Sequence, residues 1–375
     1  MKIVAIRADA SGKIGTGHVM RCLVLAEQIR REINDVKIIF LCVREDGNLI
    51  SHIQGLGYQV VELARYDDVE TARQLAIRIS TASSESISRP IDLLIVDHYR
   101  LDVVWEQTMR ELARTILIID DLANRVHDCD ALLDQNLNQQ MAERYLTLVP
   151  ESCRCFIGPR HLLLRPEFLL VREQMKNRIV ELRDSSLQLS VRNILIFYGG
   201  SDPTRETMKA LQAVTLWLDR LRDYAGELNV CEVRVNVISG TSNPMFTEIE
   251  EQCNTMKNIQ LFRHVDNMAE ILLDTDIVLG AGGVAMWERC YLGVPSIVTI
   301  VAENQRSTTE YAALQGAIWN AGWHADVTAH DLAVLLERAD QDFHRRKRMS
   351  ERAVVMMKEG IGEKRLLDWI LETLC

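Results

Sequence analysis

The chain has 375 residues, 47% of them hydrophobic, with a formal net charge of −10 and a pI of about 5.5. That length predicts two domains with ordinary cores; the acidic balance gives no support to a nucleic-acid surface but leaves room for a small anion held by local dipoles and single arginines. Nine cysteines without a C-x-x-C spacing, no apolar run of membrane-spanning length, and an opening apolar run too short for a signal peptide predict a reduced, cytoplasmic protein off the membrane.

Residues 2–7 read as a buried first strand. They lead into DASGKIGTGHVMRCLVL, residues 9–25, where Gly12, Gly15 and Gly17 precede an amphipathic segment running to about Arg31. Strand, glycine loop and helix in that order bring backbone N–H groups to a pocket. Gly15 and Gly17 let the main chain approach a ligand with no Cβ in the way. His18 stands at the helix start and Arg21 one turn on, so both can face one cleft. Two ordinary readings compete. A glycine loop after a first strand serves many dinucleotides, although G-x-G-x-x-G fails here at Met20, and His18 also reads as a structural cap.

Further apolar, β-branched runs follow at 36–43, 58–63, 91–96 and 115–119, with a helical pattern over 101–113. This is the βαβ rhythm of a parallel, doubly wound sheet. The serine-rich segment 81–89 reads as a surface loop. Polar clusters stand where strands end: Asp97-His98-Tyr99, Asp120-Asp121 and Asp134-Gln135-Asn136. Ligands of open α/β sheets bind at such ends, while each cluster taken singly also reads as a helix cap or turn. The rhythm breaks at 153–176, where the domain crossover is expected. Arg165, held extended by Pro166, either projects into the cleft or faces solvent from a linker. Charged residues over 172–184 predict an exposed helix.

A second βα series begins near Val191, with strands at 192–197, 230–238, 259–262, 277–279 and 296–300. Tyr198-Gly-Gly-Ser-Asp202 follows the first, so Gly200 and Ser201 join the expected binding residues. Gly280-Ala-Gly-Gly283 opens a helix running through Leu292, a second phosphate site at a helix N-terminus. Glu288 on that helix can accept bonds from ribose hydroxyls, or can be a solvated helix glutamate. Glu303-Asn304-Gln305 follows the next strand. Residues 329–375 read as two or three helices. Two βα domains with glycine loops in both predict an α/β fold of two Rossmann-like domains facing a cleft, glycosyltransferase-B-like. The domains are expected at 1–155 (N-terminal, carrying the histidine), 165–358 (C-terminal, carrying the second phosphate site), and 359–375 as a helix packing back on the first. No histidine spacing has a metal signature, and no G-x-S-x-G elbow is present.

Taken in order, these motifs resemble a known family, the UDP-2,4-diacetamido-2,4,6-trideoxy-β-L-altropyranose hydrolases of pseudaminic acid biosynthesis. The carrying residues are Arg7-Ala-Asp-Ala with Ile14-Gly-Thr-Gly-His-Val-Met-Arg21, Val96-Asp-His-Tyr99, Ile119-Asp-Asp-Leu-Ala123, Asp134-Gln-Asn136, Leu163-Leu-Arg-Pro-Glu-Phe168, Tyr198-Gly-Gly-Ser-Asp202, the Gly282-Gly283 to Glu288 helix, and Glu303-Asn-Gln305. They span roughly residues 1–310. The resemblance implies removal of UDP from a UDP-sugar by water at the anomeric carbon, without metal or cofactor. It maps the catalytic histidine onto His18 and the sugar-contacting arginine and asparagine onto Arg165 and Asn304. Tyr99 matches the tyrosine beside the histidine, and Glu288 the acidic ribose ligand of related UDP-sugar enzymes. The sequence departs from the pattern at Val284, where Ser or Thr is frequent, and at His161, where a tyrosine is frequent. The stretches 71–90 and 178–190 look longer than usual.

The chemistry needs a base for the attacking water. Histidine, as a residue type, has an ordinary pKa of about 6.5, close to working pH. UDP is a good leaving group if its charge is stabilised, and the Gly282-Gly283 helix N-terminus can do that. The expected partners are the UDP-sugar and UDP, with no nucleic acid and no membrane. A glycosyltransferase on the same fold and a non-catalytic nucleotide-sugar-binding protein are the competing readings.

Overall fold

The first strand, β1 (Lys2–Ala8, KIVAIRA), shows how the sheet is built. Val4, Ile6 and Ala8 pack into one apolar cluster, and Ile3 and Ala5 into another on the opposite face. A strand apolar on both faces must be covered on both, as in a parallel sheet sandwiched by helices. The computed structural model describes residues 1–375 except 13, 71–72, 75–90, 185–189, 226–231, 241–242, 264, 266, 361 and 363–364. The loop read at 81–89 lies outside the described residues, as do most of the 71–90 stretch and part of 178–190.

The chain divides into two units, Met1–Leu163 with Gly360–Cys375, and Leu164–Glu359. In the first, β1 is joined by β2 (Val36–Val43), β3 (Gln59–Leu63), β4 (Ile91–Asp97), β5 (Ala113–Ile119), β6 (Ala131–Asp134) and β7 (Arg154–Ile157). They form a parallel sheet in the order β3-β2-β1-β4-β5-β6-β7. The second unit has β8 (Asn193–Phe197), β9 (Arg234–Ile238), β10 (Ile259–Phe262), β11 (Ile277–Ala281), β12 (Ser296–Ile300) and β13 (Trp319–Trp323). Their order is β10-β9-β8-β11-β12-β13, again parallel. In each sheet the chain winds outward from its first strand and then returns to that strand's other side. The reversal leaves a crevice at the carboxyl ends of two neighbours, β1 and β4 in the first unit and β8 and β11 in the second.

Helix Gly17–Glu32 buries Val19, Cys22, Leu23, Ala26 and Ile29, a stripe at three- and four-residue spacing against β1 and β2. Arg30 and Arg31 close its last turn, where positive charge suits the helix dipole. Helix Leu366–Leu374 buries Leu366, Ile370 and Leu374, four residues apart, in the same cluster, and Trp369 lies 6.0 Å from Phe156. These last residues thus complete the core of the first unit. Among the described residues the 329–375 stretch holds three helices, Ala329–Gln341, Phe343–Met356 and Leu366–Leu374.

The structure departs from the sequence reading at short elements. The break expected from Cys153 contains β7, a four-residue edge strand that is half-exposed at Arg154 and Cys155. An edge strand of the second sheet, β13 (WNAGW), also passed unread. The helix expected over 101–113 is only Val103–Met109, because Asp102 caps its start and Ala113 already belongs to β5.

Candidate active site

In the first unit the register pairs Ala8 with Asp97. The glycine loop after β1 therefore begins beside the polar triplet that ends β4. The loop closes on itself through Ser11 and Gly15, whose backbones exchange hydrogen bonds of 2.9 and 3.3 Å. Gly15 has φ +76°, a conformation that disfavours a side chain. Thr16 caps helix Gly17–Glu32 without a side-chain bond, and no acidic residue occupies the first turn. The positive end of that helix is left to other anions.

His18, the second helical residue, is 7% exposed. Its Nδ1 lies 2.5 Å from Asp97 Oδ1. Arg21, one turn on, grips the same carboxylate with two bonds, Nε to Oδ2 at 2.5 Å and Nη2 to Oδ1 at 2.6 Å, and donates through Nη1 to Asp121 at 3.1 Å. Asp97 is fully buried. Burial alone would raise its pKa, but the Arg21 charge and the hydrogen bonds from Arg21 and His18 outweigh that and hold it well below the usual carboxylate range. An ionised Asp97 accepts only, so the Nδ1 hydrogen is on His18 and the Nε2 lone pair is the basic one. The Tyr99 ring meets the imidazole edge to face at 4.5 Å. Burial and the nearby Asp121 push the Tyr99 phenol well above its ordinary range, so it stays protonated.

A second buried network braces the loop. Arg7 makes a bidentate pair with Asp9 at 2.7 and 2.6 Å, and Asp9 also accepts from the Val43 backbone at 2.7 Å. His98 Nε2 stands 3.3 Å from Asp9, and its Nδ1 accepts the Arg100 N–H. These groups fix where β1 hands over to the loop.

In the second unit the register sets Gly280 beside Phe197, so Tyr198–Asp202 and Gly280–Gly283 leave the sheet together. The two helices that follow differ. Asp202 accepts from the backbone N–H groups of Glu206 and Thr207 at 3.0 and 2.8 Å, so helix Glu206–Ala225 already has its anion. Helix Val284–Leu292 has Gly283 as its cap, with no side-chain bond and no acidic residue in its first turn. Gly283 has φ +80°, and a Cβ at Gly282 would lie 2.8 Å from Thr309 Oγ1 and 3.1 Å from Gln305 Oε1. Glycine is required at both. Gln305 lies over this pair and accepts the Val301 N–H at 3.3 Å. Arg289, buried on the same helix, donates to the Ala281 carbonyl at 2.7 Å and to Ser296, which fixes the strand end behind the loop.

His18, Arg21 and Tyr99 are thus brought together, with Gly15 and Gly17 beside them. Gly282, Gly283 and Gln305 form a second group. Asn304 is exposed in the turn Glu303–Gln305 after β12. Gly200 and Ser201 lie in the loop after β8, and Gly200 packs against Gly240, where a Cβ would come within 2.7 Å of the Gly200 carbonyl. Glu288 is paired with Arg165 at 3.4 Å. Asp97, Asp121 and Asp202 were visible as polar residues after strands, but their roles were not. The available signal for Asp97 was its place directly after IDLLIV, an apolar central strand.

The fold and these two switch points define an α/β protein of the glycosyltransferase-B class. A model described as the glycosyltransferase family 28 C-terminal domain matches residues 193–363. The crystal structure of Acinetobacter baumannii MurG superposes with a TM-score of 0.62 at 14% identity, covering 100% of this chain and 99% of that one, a likeness of fold. The chain is related to the UDP-2,4-diacetamido-2,4,6-trideoxy-β-L-altropyranose hydrolases: it is 26% identical to the Campylobacter jejuni protein of that name over 84% of this chain and 97% of the other. An uncharacterised protein of Methanocaldococcus jannaschii is 28% identical over 81% of this chain, and the match spans 56% of that relative's length.

Proposed function

We propose that the chain is a UDP-sugar hydrolase, with a UDP-linked diacetamido-trideoxy sugar of the pseudaminic acid type as its substrate. The observation that supports this best is the His18–Asp97–Arg21 arrangement. It fixes one imidazole nitrogen and leaves the other as a base. In the proposed reaction His18 Nε2 takes a proton from water as the water oxygen bonds to the anomeric carbon. The bond from that carbon to the β-phosphate oxygen breaks, and UDP departs with the electron pair. Asp97 stabilises the imidazolium that forms, and Arg21 keeps Asp97 in register. The diphosphate charge is met by the uncapped start of helix Val284–Leu292, where Val284 has no hydroxyl and the backbone N–H groups act alone. Glu288 accepts from the ribose, and Asn304 contacts the sugar. The proposed setting is a soluble, cytoplasmic enzyme; among the described residues no helix is long and apolar enough to cross a membrane.

One observation favours a second reading. The domain match is to a glycosyltransferase family, and a transferase uses the same base on an acceptor hydroxyl instead of water. Release of UDP from a panel of UDP-sugars, with no acceptor present, decides between them. A hydrolase converts its substrate fully to UDP and free sugar. A transferase leaves it almost intact, and that result would overturn the proposal.

A further inference from the structure

Arg165 matches a sugar-contacting arginine by sequence, but its surroundings give it other work. It directly precedes helix Pro166–Asp184. Its Nη1 lies 3.0 Å from Glu167 Oε1, its Nη2 donates to Glu288 Oε1 at 3.4 Å, and its guanidinium lies over the Phe168 ring at 5.1 Å. Each terminal nitrogen therefore has a carboxylate partner. Two carboxylates around one cation leave the spot net negative, which is unfavourable for a diphosphate.

Glu288 gains from the same contact. Its side chain is 12% exposed on helix Val284–Leu292. Burial pushes its carboxyl up, and the Arg165 charge pulls the other way. The two helices meet again where Arg172 lies over the Tyr291 ring at 5.2 Å. Helix Pro166–Asp184 thus braces the helix that carries the glutamate. One oxygen of Glu288 is held, and Oε2 remains for hydroxyl donors.

We propose that Arg165 is a positioning residue: it fixes the Glu288 carboxylate so that Glu288 accepts bonds from the vicinal hydroxyls of a uridine ribose, and Arg165 itself touches neither sugar nor phosphate. This rests on the reading of Glu288 as the ribose ligand. The test is calorimetric affinity for UDP and for 2′,3′-dideoxy-UDP. Hydrogen bonds to a charged group are each worth about tenfold or more, so the wild-type protein should prefer UDP by at least about tenfold. Glu288→Gln should reduce that preference to roughly threefold or less. Arg165→Ala should do the same, Arg165→Lys should restore most of it, and Arg165→Ala/Glu288→Gln should be no worse than Glu288→Gln alone. If Arg165→Ala lowers kcat while keeping the wild-type preference for UDP, the positioning role is overturned and Arg165 acts on the sugar. A preference absent in wild type, or unchanged in Glu288→Gln, overturns the ribose reading itself, so the two failures are distinct. Should Arg165→Ala fail to fold, Arg165→Gln, which keeps the stem packed on Phe168, is read in the same way.

Discussion

Replacing Asp97 by Asn tests the proposed chemistry at its most constrained point. The side chain keeps its size but loses its charge, and one of its two oxygens becomes an NH2 group. The carboxylate now takes His18 Nδ1 at 2.5 Å and two Arg21 bonds at 2.5 and 2.6 Å. His18 Nδ1 and Arg21 Nη2 share Oδ1 while Arg21 Nε takes Oδ2, so an amide, with one acceptor oxygen, cannot serve all three contacts. With the oxygen kept on Arg21 Nε, the NH2 group faces Nδ1, and the imidazole hydrogen moves to Nε2. The basic nitrogen is then turned inward and cannot receive the proton of water. General-base contributions are about 10²–10⁴-fold, so kcat should fall by about that factor while the affinity for UDP is kept.

The same change has a structural cost, which separates it from a purely catalytic lesion. Removing one partner of a buried ion pair costs about 3–5 kcal/mol. Arg21 retains Asp121 at 3.1 Å, which places the loss near the lower end, about 3 kcal/mol. For a unit of this size, each kcal/mol lowers the melting temperature by about 2–4 °C, so a fall of roughly 6–12 °C is expected. Turnover is read from UDP release at saturating UDP-sugar, well below the melting temperature, and stability from a thermal melt. A folded Asp97→Asn protein with wild-type kcat would refute the assignment of Asp97 as the group that orients His18. A lost kcat with an unchanged melting temperature would refute the energetic argument for the buried pair.

His18→Asn should lose about 10²–10⁴-fold in kcat with UDP affinity retained; unchanged turnover in calorimetrically competent protein removes His18 from the mechanism. Asn304→Ala should lower kcat/KM for the UDP-sugar and leave UDP affinity near wild type, because it acts on the sugar; a parallel fall in UDP affinity would move it to the diphosphate. Gly282→Ala should weaken UDP binding and destabilise the second unit, since its Cβ would press on Thr309 and Gln305; a Kd equal to wild type argues against the Gly282–Gly283 loop as the phosphate site. Asp9 and Asp97 are both held well below the usual carboxylate range, burial being outweighed by His98 and Arg7 in the first case and by Arg21 and His18 in the second. Their contribution to stability is therefore fully present above the unfolded value of about 3.9 and is lost as pH falls below it. Urea midpoints should drop between about pH 4 and pH 2, and Asp9→Asn should flatten that slope; an equal slope in wild type and variant would contradict the pairing.

Much of this was legible because the signals are local. Apolar runs such as IDLLIV and Gly-rich turns such as Gly280–Gly283 mark central strands and their exits without reference to the rest of the chain. The edge strands Arg154–Ile157 and Trp319–Trp323 were missed because Arg154 shortens the apolar run of one and Asn320 and Gly322 interrupt that of the other, and what makes each a strand is the neighbour that supplies its hydrogen bonds. The partner of His18 was missed for a related reason. Asp97 is 79 positions away, and only the register of β1 against β4 brings it next to the glycine loop.

The two loops of the second unit show why a motif alone does not identify a phosphate site. Tyr198–Asp202 and Gly280–Gly283 both follow central strands and both precede helices, so sequence gives them equal claims. The difference lies in one side chain. Asp202 occupies the amides of Glu206 and Thr207, and a dianionic group placed there would meet a carboxylate already in possession of the donors. Gly283 offers the start of its helix with no side-chain cap and no acidic residue in the first turn, and Gln305, with Thr309 beside Gly282, leaves no room for a Cβ at Gly282. A backbone kept bare at that cost in conformational freedom is what close approach of a diphosphate requires. On the proposed reading, then, the leaving group is held by main chain at Gly282–Gly283, and Gly200 serves the close backbone packing against Gly240 before it serves any ligand.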